Sequence, residues 1–449
     1  MTGTDERLES QIGQWRGYIE RHRAISAADV DEMEDHLRDQ ISDLSTAGLA
    51  ADEAFLVAVK RMGSVDAISR EFAREHSERL WKQLVLLPAP AEGVRGPDRE
   101  LLVVLAAAAS AGVAITIAVL AGIDENLFAR TASLFVLPFL AAYFAWKRQL
   151  GPRALAVLVL PFVAAGILLT TFPFERDGAT EVIAAIHAPL MLWFAVGFAY
   201  VGGEWRSDRR RMDFIRFTGE WIVYLTLIAL GGLILMGLTV GAFESLGLDA
   251  EETVLDWALR FGPAGAVVVA AWLVEAKQNV VENIAPVLTR VFTPITIVML
   301  TVLLVGFAAA GSLVDVDREL LILMDLILVV VLGLLLYAIS ARDPLLPADL
   351  FDTLQLVLVV LALAVDVVML TAMLSRIAEF GVTANKAVAL GLNLVLAVNL
   401  VWSARLLGGF LLGRFGFHAA ERWQTRYLPV FGLWAALVVA AVAPLFGFV

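Results

Sequence analysis

Three hydrophobic stretches near the end of the chain decide its fold: ELLILMDLILVVVLGLLLYAIS (319–340), QLVLVVLALAVDVVMLTAML (355–374) and NKAVALGLNLVLAVNLVWSA (385–404). Each has the roughly 20 apolar residues that an α-helix needs to cross a bilayer. Each also carries polar side chains that a lipid-facing helix does not tolerate, namely Asp325, Asp366, Asn393 and Asn399. A carboxylate at membrane depth is costly unless it is paired, protonated or hydrated. The three stretches therefore indicate a membrane bundle with a polar interior.

The composition of the whole chain supports the same class of protein. Hydrophobic residues make up 59% of the 449 positions, charged residues make up 18%, and the mean hydropathy is +0.77. A soluble enzyme of this length is far less apolar. The net charge of -12 argues against nucleic acid as a partner. The absence of cysteine excludes disulfides, thiolate catalysis and cysteine-bound metal.

The first hundred residues differ from the rest, because they contain no hydrophobic run of membrane length. No apolar run follows a basic start, so we expect no cleaved signal peptide. Apolar residues recur there at spacings of three and four, which predicts about four amphipathic helices. A Pro- and Gly-rich segment, LLPAPAEGVRGPDRE, comes next. The sequence thus predicts an all-α protein with a small cytoplasmic helical domain at 1–86, a linker at 87–100 and a transmembrane domain at 101–449.

The polar face of the second predicted helix is densely acidic, with Asp31, Glu32, Glu34, Asp35, Asp39 and Asp43. Such a face is typical of a solvated surface. A docking surface for a basic protein partner and a cation site are the alternatives. His36 lies on the same helix with no second ligand motif beside it, so we expect no metal site there.

Eleven segments of the remaining chain are candidate membrane spans. Their predicted bounds are 101–122, 127–146, 154–173, 182–202, 219–243, 254–274, 291–312, 319–340, 355–375, 386–404 and 428–448. If the first domain is cytoplasmic, fifteen Lys and Arg residues fall in inner loops and six in outer ones. This bias predicts a cytoplasmic N-terminus and, with eleven spans, an outside C-terminus. Pro286 and Pro294 leave open whether 276–312 forms one kinked span or includes a re-entrant segment.

Depth along the predicted helices places the four polar residues in two layers of spans eight to ten. At a rise of about 1.5 Å per residue, Asp366 and Asn399 both lie near the bilayer midplane. Asp325 and Asn393 lie roughly 8 to 10 Å below the outer surface by the same rise. We therefore expect Asp325 near Asn393 and Asp366 near Asn399, with Lys386 one heptad above Asn393. We name these five residues the polar seam.

Three roles are open for the polar seam. Its side chains could be hydrogen-bonded pairs that only hold neighbouring helices together. They could instead line a path for an ion or a substrate, or form a ligand-sensing site.

Signatures of enzymes are missing from the chain. Two aspartates on adjacent membrane helices suggest an intramembrane aspartyl protease, but the GxGD context is absent and their predicted depths differ by several ångströms. The motifs HExxH, GxSxG and GxxxxGK[ST] are absent as well. We therefore expect no enzyme, no cofactor and no metal site.

Two basic segments are expected on the inner side. The segment EWRSDRRRMDFIRF (204–217) carries Arg209, Arg210 and Arg211. It could fix the topology as an inner loop or hold anionic lipid headgroups. The segment GRFGFHAAERWQTRY (413–427) predicts an amphipathic surface helix that carries Arg414, Arg422 and Arg426. Its positive charge is complementary to the acidic helix of the first domain, so the two could dock.

The order and spacing of several segments carry a resemblance to known families. In the first domain these are Trp15-Arg16, DVDEMEDHLRDQI (29–41), GLAADEAFLVAVKRMG (48–63) and EFAREHSERLW (71–81). Together they resemble the permease prefix domain found ahead of bacterial membrane proteins. In the membrane part they are NIAPVLTRVFTP (283–294), LLYAISARDP (335–344) and RIAEFGVTANKAVALGLNLVLAVNL (376–400). These are similar to the uncharacterised DUF4153 family, in which arginine is expected where this chain has Lys386.

The resemblance implies a multi-pass protein of the bacterial cytoplasmic membrane and no established substrate. Two classes of function follow from the sequence. One is a permease or transporter-like protein with the polar seam as its path. The other is a membrane stress sensor or scaffold, whose cytoplasmic domain engages a regulatory partner without any transport.

Overall fold

The computed structural model of this protein describes residues 8–9, 12–13, 27–46, 54–55, 58, 99–246, 251–276, 284–310 and 318–449. Within these ranges the regular structure is helical and no strand is present. The chain divides into two compact units, Met1–Gly96 and Pro97–Val449. In the first unit, helix α1 (Ala27–Thr46) buries one apolar face, whose members and partners are Leu37, Ile41, Leu44, Ile12, Ala54 and Ala58. The other predicted helices of this unit lie wholly or partly outside the described residues.

The described part of the second unit contains eleven segments that are long and apolar enough to cross a membrane. Their helices are α2 (Arg99–Leu120), α3 and α4 (Glu125–Thr131 and Leu137–Lys147, one span), α5 (Pro152–Thr171), α6 (Ala179–Tyr200), α7 (Asp208–Ser245), α8 (Glu251–Ala276), α9 (Ile284–Ala310), α10 (Arg318–Ala341), α11 (Leu350–Phe380), α12 (Ala384–Leu411), and α13 and α14 (His418–Leu437 and Ala443–Leu445, one span). Number and order agree with the sequence prediction. The protein is a multi-pass membrane protein whose apolar helices contact the bilayer.

Local capping chemistry fixes several helix ends. The side chain of Asp124 accepts the backbone N–H groups of Asn126 (3.0 Å) and Leu127 (3.3 Å) where α3 begins. Asp349 and Asp352 form a reciprocal capping box at the start of α11. Gly381 ends that helix with a φ of +75°, in the left-handed region that favours glycine.

Three predicted boundaries are changed by continuous helices. Residues 208–217 of the basic segment form the first turns of α7, a helix of 38 residues. The predicted surface helix at 413–427 is wrong, because α13 begins at His418 and continues into the last span through Pro429. Its early turns are held there because Trp423 and Tyr427 donate to backbone carbonyls of α12. In the region 276–312, α9 is one helix with Pro294 inside it, and residues 277–283 lie outside the description.

Contacts between helix ends define two opposite ends of the bundle. At the first, Lys147 and Arg148 meet residues that begin α2 and end α6 and α8. This basic end comprises the described parts of 99–100, 147–152, 200–216, 275–276, 340–352 and 410–426. At the second, which we name the acidic end, the loop after α5 meets the loop after α2 and the backbone of Phe448. The helices therefore alternate in direction as predicted, while the assignment of the basic end to the cytoplasm stays a prediction.

Two apolar cores hold the membrane unit together. The first is built mainly by α2 to α8 and contains a group of stacked and edge-on rings from Phe144, Trp193, Tyr200, Phe214 and Phe217. The second is built by α9 to α13 and contains the faces of α10, α11 and α12 that carry the polar seam. The seam is thus surrounded by tightly packed aliphatic side chains.

Candidate functional site

The polar seam lies inside the second core. Asp366, Asn393 and Asn399 are buried with 1%, 0% and 0% of their surfaces exposed, and Asp325 is half-buried. Their helices α10, α11 and α12 pack against one another. Polar groups in such an environment need hydrogen-bond partners, because neither lipid nor aliphatic neighbours can supply them. The partners of each residue therefore indicate its role.

Asp325 and Asn393 are partners, as the sequence predicts. The amide nitrogen Nδ2 of Asn393 donates to Oδ1 of Asp325 over 3.0 Å, which joins α12 to α10. The amide oxygen of Asn393 accepts no hydrogen bond from the described residues. The pair forms a hydrogen bond between two helices and leaves the amide oxygen of Asn393 without a partner among the described residues.

Asn399 has different partners from those expected. Its Nδ2 donates to Oε1 of Gln424 over 2.8 Å, and Nε2 of Gln424 donates to Oγ of Ser403 over 2.7 Å. Ser403 in turn donates to the backbone oxygen of Asn399 over 2.7 Å. These fully buried groups satisfy one another across α12 and α13, so the predicted pairing of Asn399 with Asp366 is not made. The sequence reading missed Gln424 because it placed that residue in a separate surface helix.

Asp366 is the exception in the seam. Neither of its carboxyl oxygens makes a hydrogen bond within the described chain, and both are buried. With 1% of its surface exposed, Asp366 lines no water-sized cavity. An aspartate at the centre of a membrane helix costs about 2.5 to 3.5 kcal/mol, and no hydrogen bond from the described residues offsets that cost.

A second polar group lies on the same face of α11, nearer the basic end. Gln355 and Asp366 are eleven residues apart, a spacing of three helical turns that places both on one face. Nε2 of Gln355 donates to Oγ1 of Thr293 on α9 over 3.0 Å, while its Oε1 is buried and unpartnered within the described chain. Thr289 and Thr296 are buried on the same side of α9. The sequence reading passed over them because threonine is common in apolar helices.

Lys386 lies at the acidic end, one heptad before Asn393 on α12. Its ammonium group donates to the backbone oxygens of Arg376 (3.2 Å) and Gly381 (2.9 Å), and it lies 5.6 Å from the ring centroid of Phe380. These are the last carbonyls of α11, which favour a positive charge because of the helix dipole. Lys386 therefore caps α11.

The arginines of each predicted cluster have different surroundings in the structure. Arg209 and Arg210 are exposed, whereas Arg211 pairs with Asp208 over 2.5 Å on another side of α7. Arg426 also approaches Asp208, with 3.8 Å between Nε and Oδ2. Arg422 donates only to the backbone oxygen of His418 among the described residues (3.4 Å), and Arg414 is exposed. Docking of these arginines onto the acidic face of α1 remains a prediction.

Buried ion pairs at the basic end were not found from the sequence. Arg342 donates to both carboxyl oxygens of Asp352, over 2.6 and 2.8 Å, and its guanidinium lies 4.7 and 4.3 Å from the rings of Phe410 and Phe417. Glu275, whose side chain is 2% exposed, joins Lys147 and Arg148 over 3.2 and 2.9 Å. Both sets tie the ends of spans together. Sequence counting treated these arginines only as topology signals.

The acidic end has a matching clasp. Arg130 of α3 pairs with the buried Glu181 of α6 and donates to the backbone oxygen of Leu169 over 2.8 Å. Asn126 donates to Glu181 over 3.1 Å and to Asp177 over 3.0 Å. The clasp holds three spans and leaves no carboxylate of Glu181 unpaired, so its role is structural.

Metal binding finds no support in the part of the chain that the structure describes. No group of three or more His, Asp or Glu side chains there is placed to hold a metal ion. Comparison of the chain with protein-family models, curated proteins and solved structures gives no match. The functional reading therefore depends on the geometry of the site alone.

Proposed function

We propose that the protein is a cation-coupled membrane transporter in which Asp366 binds the coupling ion, a proton or a small monovalent cation. The observation that carries this proposal is the burial of both Asp366 oxygens without a hydrogen bond. A residue that only joins helices would have a partner on a neighbouring helix, as Asn393 and Asn399 do. Asp366 has none among the described residues, so helix packing does not explain it.

The chemistry of Asp366 limits the kinds of ligand that it can bind. A carboxylate surrounded by aliphatic groups must be neutralised, either by a proton on one oxygen or by a cation beside it. The unpartnered oxygen atoms among the described residues of the seam are both of Asp366 and Oδ1 of Asn393, and Asp325 supplies a second carboxyl group. Oxygen ligands of this kind suit hard cations, and a single proton needs only one of them.

The residues on either side of Asp366 define the direction of the proposed ion path. Toward the acidic end lies the Asp325–Asn393 pair, and toward the basic end the face of α11 continues to Gln355 with its unpartnered oxygen. Asp366 itself is closed off by packing in this conformation, with 1% of its surface exposed. Coupled transport requires that such a site opens to one side at a time, so a closed site fits an intermediate between the two open states.

The test is a charge displacement upon a step in pH or in Na⁺ concentration, recorded from proteoliposomes on a solid-supported membrane. Binding of a cation at mid-bilayer depth moves charge into the low-dielectric layer, so a transient current appears even without a transported substrate. We expect this current in the wild type and its loss, by tenfold or more, in Asp366→Asn. The control is Asp256→Asn, which removes an exposed carboxylate paired with Arg260 on α8.

The two steps also identify the ion, because a pH step and a Na⁺ step report separately. A wild type without any current above empty liposomes, or a current that survives in Asp366→Asn, would refute coupling at Asp366. In that case the sensor or scaffold function predicted as the alternative would be the one to pursue, through deletion of residues 1–90 and partner capture.

A further inference from the structure

A cleft of 390 Å³ opens at the basic end, away from the polar seam. Its charged lining residues are Arg148, Arg209, Arg210, Asp213, Arg216 and Glu220. Its volume lies in the range of small-molecule sites, about 300 to 1,000 Å³. Four guanidinium groups and two carboxylates line it, a net charge of +2 from four minus two. Such a balance favours an anion.

Two of the four arginines are fixed by neighbours. Arg148 donates to both oxygens of Glu275 and to the backbone oxygen of Tyr200, over 2.9 Å in each case. Arg216 donates from Nε to the backbone oxygen of Ser340 over 3.1 Å. These bonds hold the floor of the cleft in place, because both side chains are anchored to other spans.

The other two arginines are free to meet a ligand. Arg209 makes no hydrogen bond or ion pair with any residue of the described chain, and it is exposed. Arg210 has an exposed pair with Glu204 at 3.3 Å, a kind of contact that contributes little and is readily exchanged. Both lie in the first turn of α7, after its N-cap Ser207 and its first residue Asp208, where the helix dipole adds positive potential.

We propose that this cleft binds a phosphate group through Arg209 and Arg210, with Arg216 as a fixed positive charge behind them and Arg148 held by its pair with Glu275. Guanidinium groups bind phosphate oxygens bidentately, through two parallel N–H···O hydrogen bonds. The phosphate belongs either to the headgroup of an anionic phospholipid or to a soluble phosphate, since both present the same oxygens. Asp213 opposes the ligand from within the cleft.

The experiment uses the delipidated full-length protein and native mass spectrometry. Phosphatidylglycerol is titrated in one arm and inorganic phosphate in the other, and phosphate is also added to the lipid-bound protein as a competitor. We expect one tightly bound equivalent in the wild type and an affinity at least tenfold lower in the double variant Arg209→Ala/Arg210→Ala. The matched control is Arg153→Ala/Arg206→Ala, which removes the same charge from exposed positions that do not line the cleft.

A third variant is expected to gain affinity for the probe, a change that misfolding does not produce. Asp213→Asn removes the opposing charge, so we expect it to bind the phosphate-bearing probe several-fold more tightly. Lipid binding that phosphate fails to displace identifies a lipid headgroup, and binding of phosphate alone identifies a soluble ligand. Equal loss in the two double variants, or no binding of either probe to the wild type, would overturn the assignment.

Discussion

A comparison of Gln424 with Asp366 tests which buried polar residues stabilise the fold and which serve the proposed function. Gln424→Met keeps the length of the side chain but removes both of its hydrogen bonds, to Asn399 (2.8 Å) and to Ser403 (2.7 Å). Asp366→Asn keeps the shape of its side chain and removes no hydrogen bond, because Asp366 makes none with the described residues. The two variants should therefore differ in stability although both sites are buried in the bundle.

The magnitudes follow from the contacts. Each interhelical hydrogen bond in a membrane protein contributes about 0.6 kcal/mol on average, so two contribute about 1.2 kcal/mol. The Nδ2 group of Asn399 would also be left without its partner, which costs about 1 to 3 kcal/mol. Ser403 keeps its bond to the backbone of Asn399 and adds little. We expect Gln424→Met to lower the free energy of unfolding by about 2 to 4 kcal/mol, and Asp366→Asn to lower it by no more than about 0.5 kcal/mol.

Reversible unfolding in mixed micelles, titrated with sodium dodecyl sulfate and followed by tryptophan fluorescence, measures both values under one set of conditions. A loss of 2 kcal/mol or more in Asp366→Asn would mean that its carboxyl group holds the bundle together, and would remove the basis for a cation site. A neutral result for Gln424→Met would show that the Asn399 network is hydrated or rearranges in solution.

Two further perturbations test the packing of the basic end and of the site helices. Asp352→Asn should lower the free energy of unfolding by about 3 to 5 kcal/mol, because it leaves the buried guanidinium of Arg342 without its charged partner. The double variant with Arg342→Met should recover part of this loss in the same titration. A purely additive loss would contradict the pairing. Gly391→Ala should cost about 1 to 3 kcal/mol, since a Cβ there would overlap the ring of Trp434. Gly231→Ala, where a Cβ meets open space, is its control and should be neutral or slightly stabilising; equal effects at the two positions would argue against this helix contact.

Much of the fold could be predicted from the sequence because membrane insertion is encoded locally. Eleven hydrophobic runs appear as eleven helical segments, in order, since an apolar run of about 20 residues has one favourable structure in a bilayer. The alternation of the loops between the two ends of the bundle follows from the same succession of helical segments. Helix ends were less well predicted at Asp208 and His418, where polar residues continue a helix beyond the hydrophobic run.

The candidate site was predicted only in part. Counting residues gave the depth of Asp325 and Asn393, and their bond joins positions 68 residues apart in the chain. Depth alone also suggested that Asp366 meets Asn399, but two residues at one depth meet only if their helices turn them toward each other. Asn399 faces α13 instead, where Gln424 receives its amide.

The sequence by itself determined that this chain crosses a membrane many times and that it places carboxyl and amide groups within the apolar layer, because hydropathy and helix rise are properties of each segment alone. The tertiary structure decided which of those groups are satisfied. It paired Asn393 with Asp325 and Asn399 with Gln424, turned Lys386 into a helix cap, and left Asp366 without a hydrogen bond in the described chain. The rotation of each helix about its axis is set by packing against its neighbours, and no segment carries that information by itself.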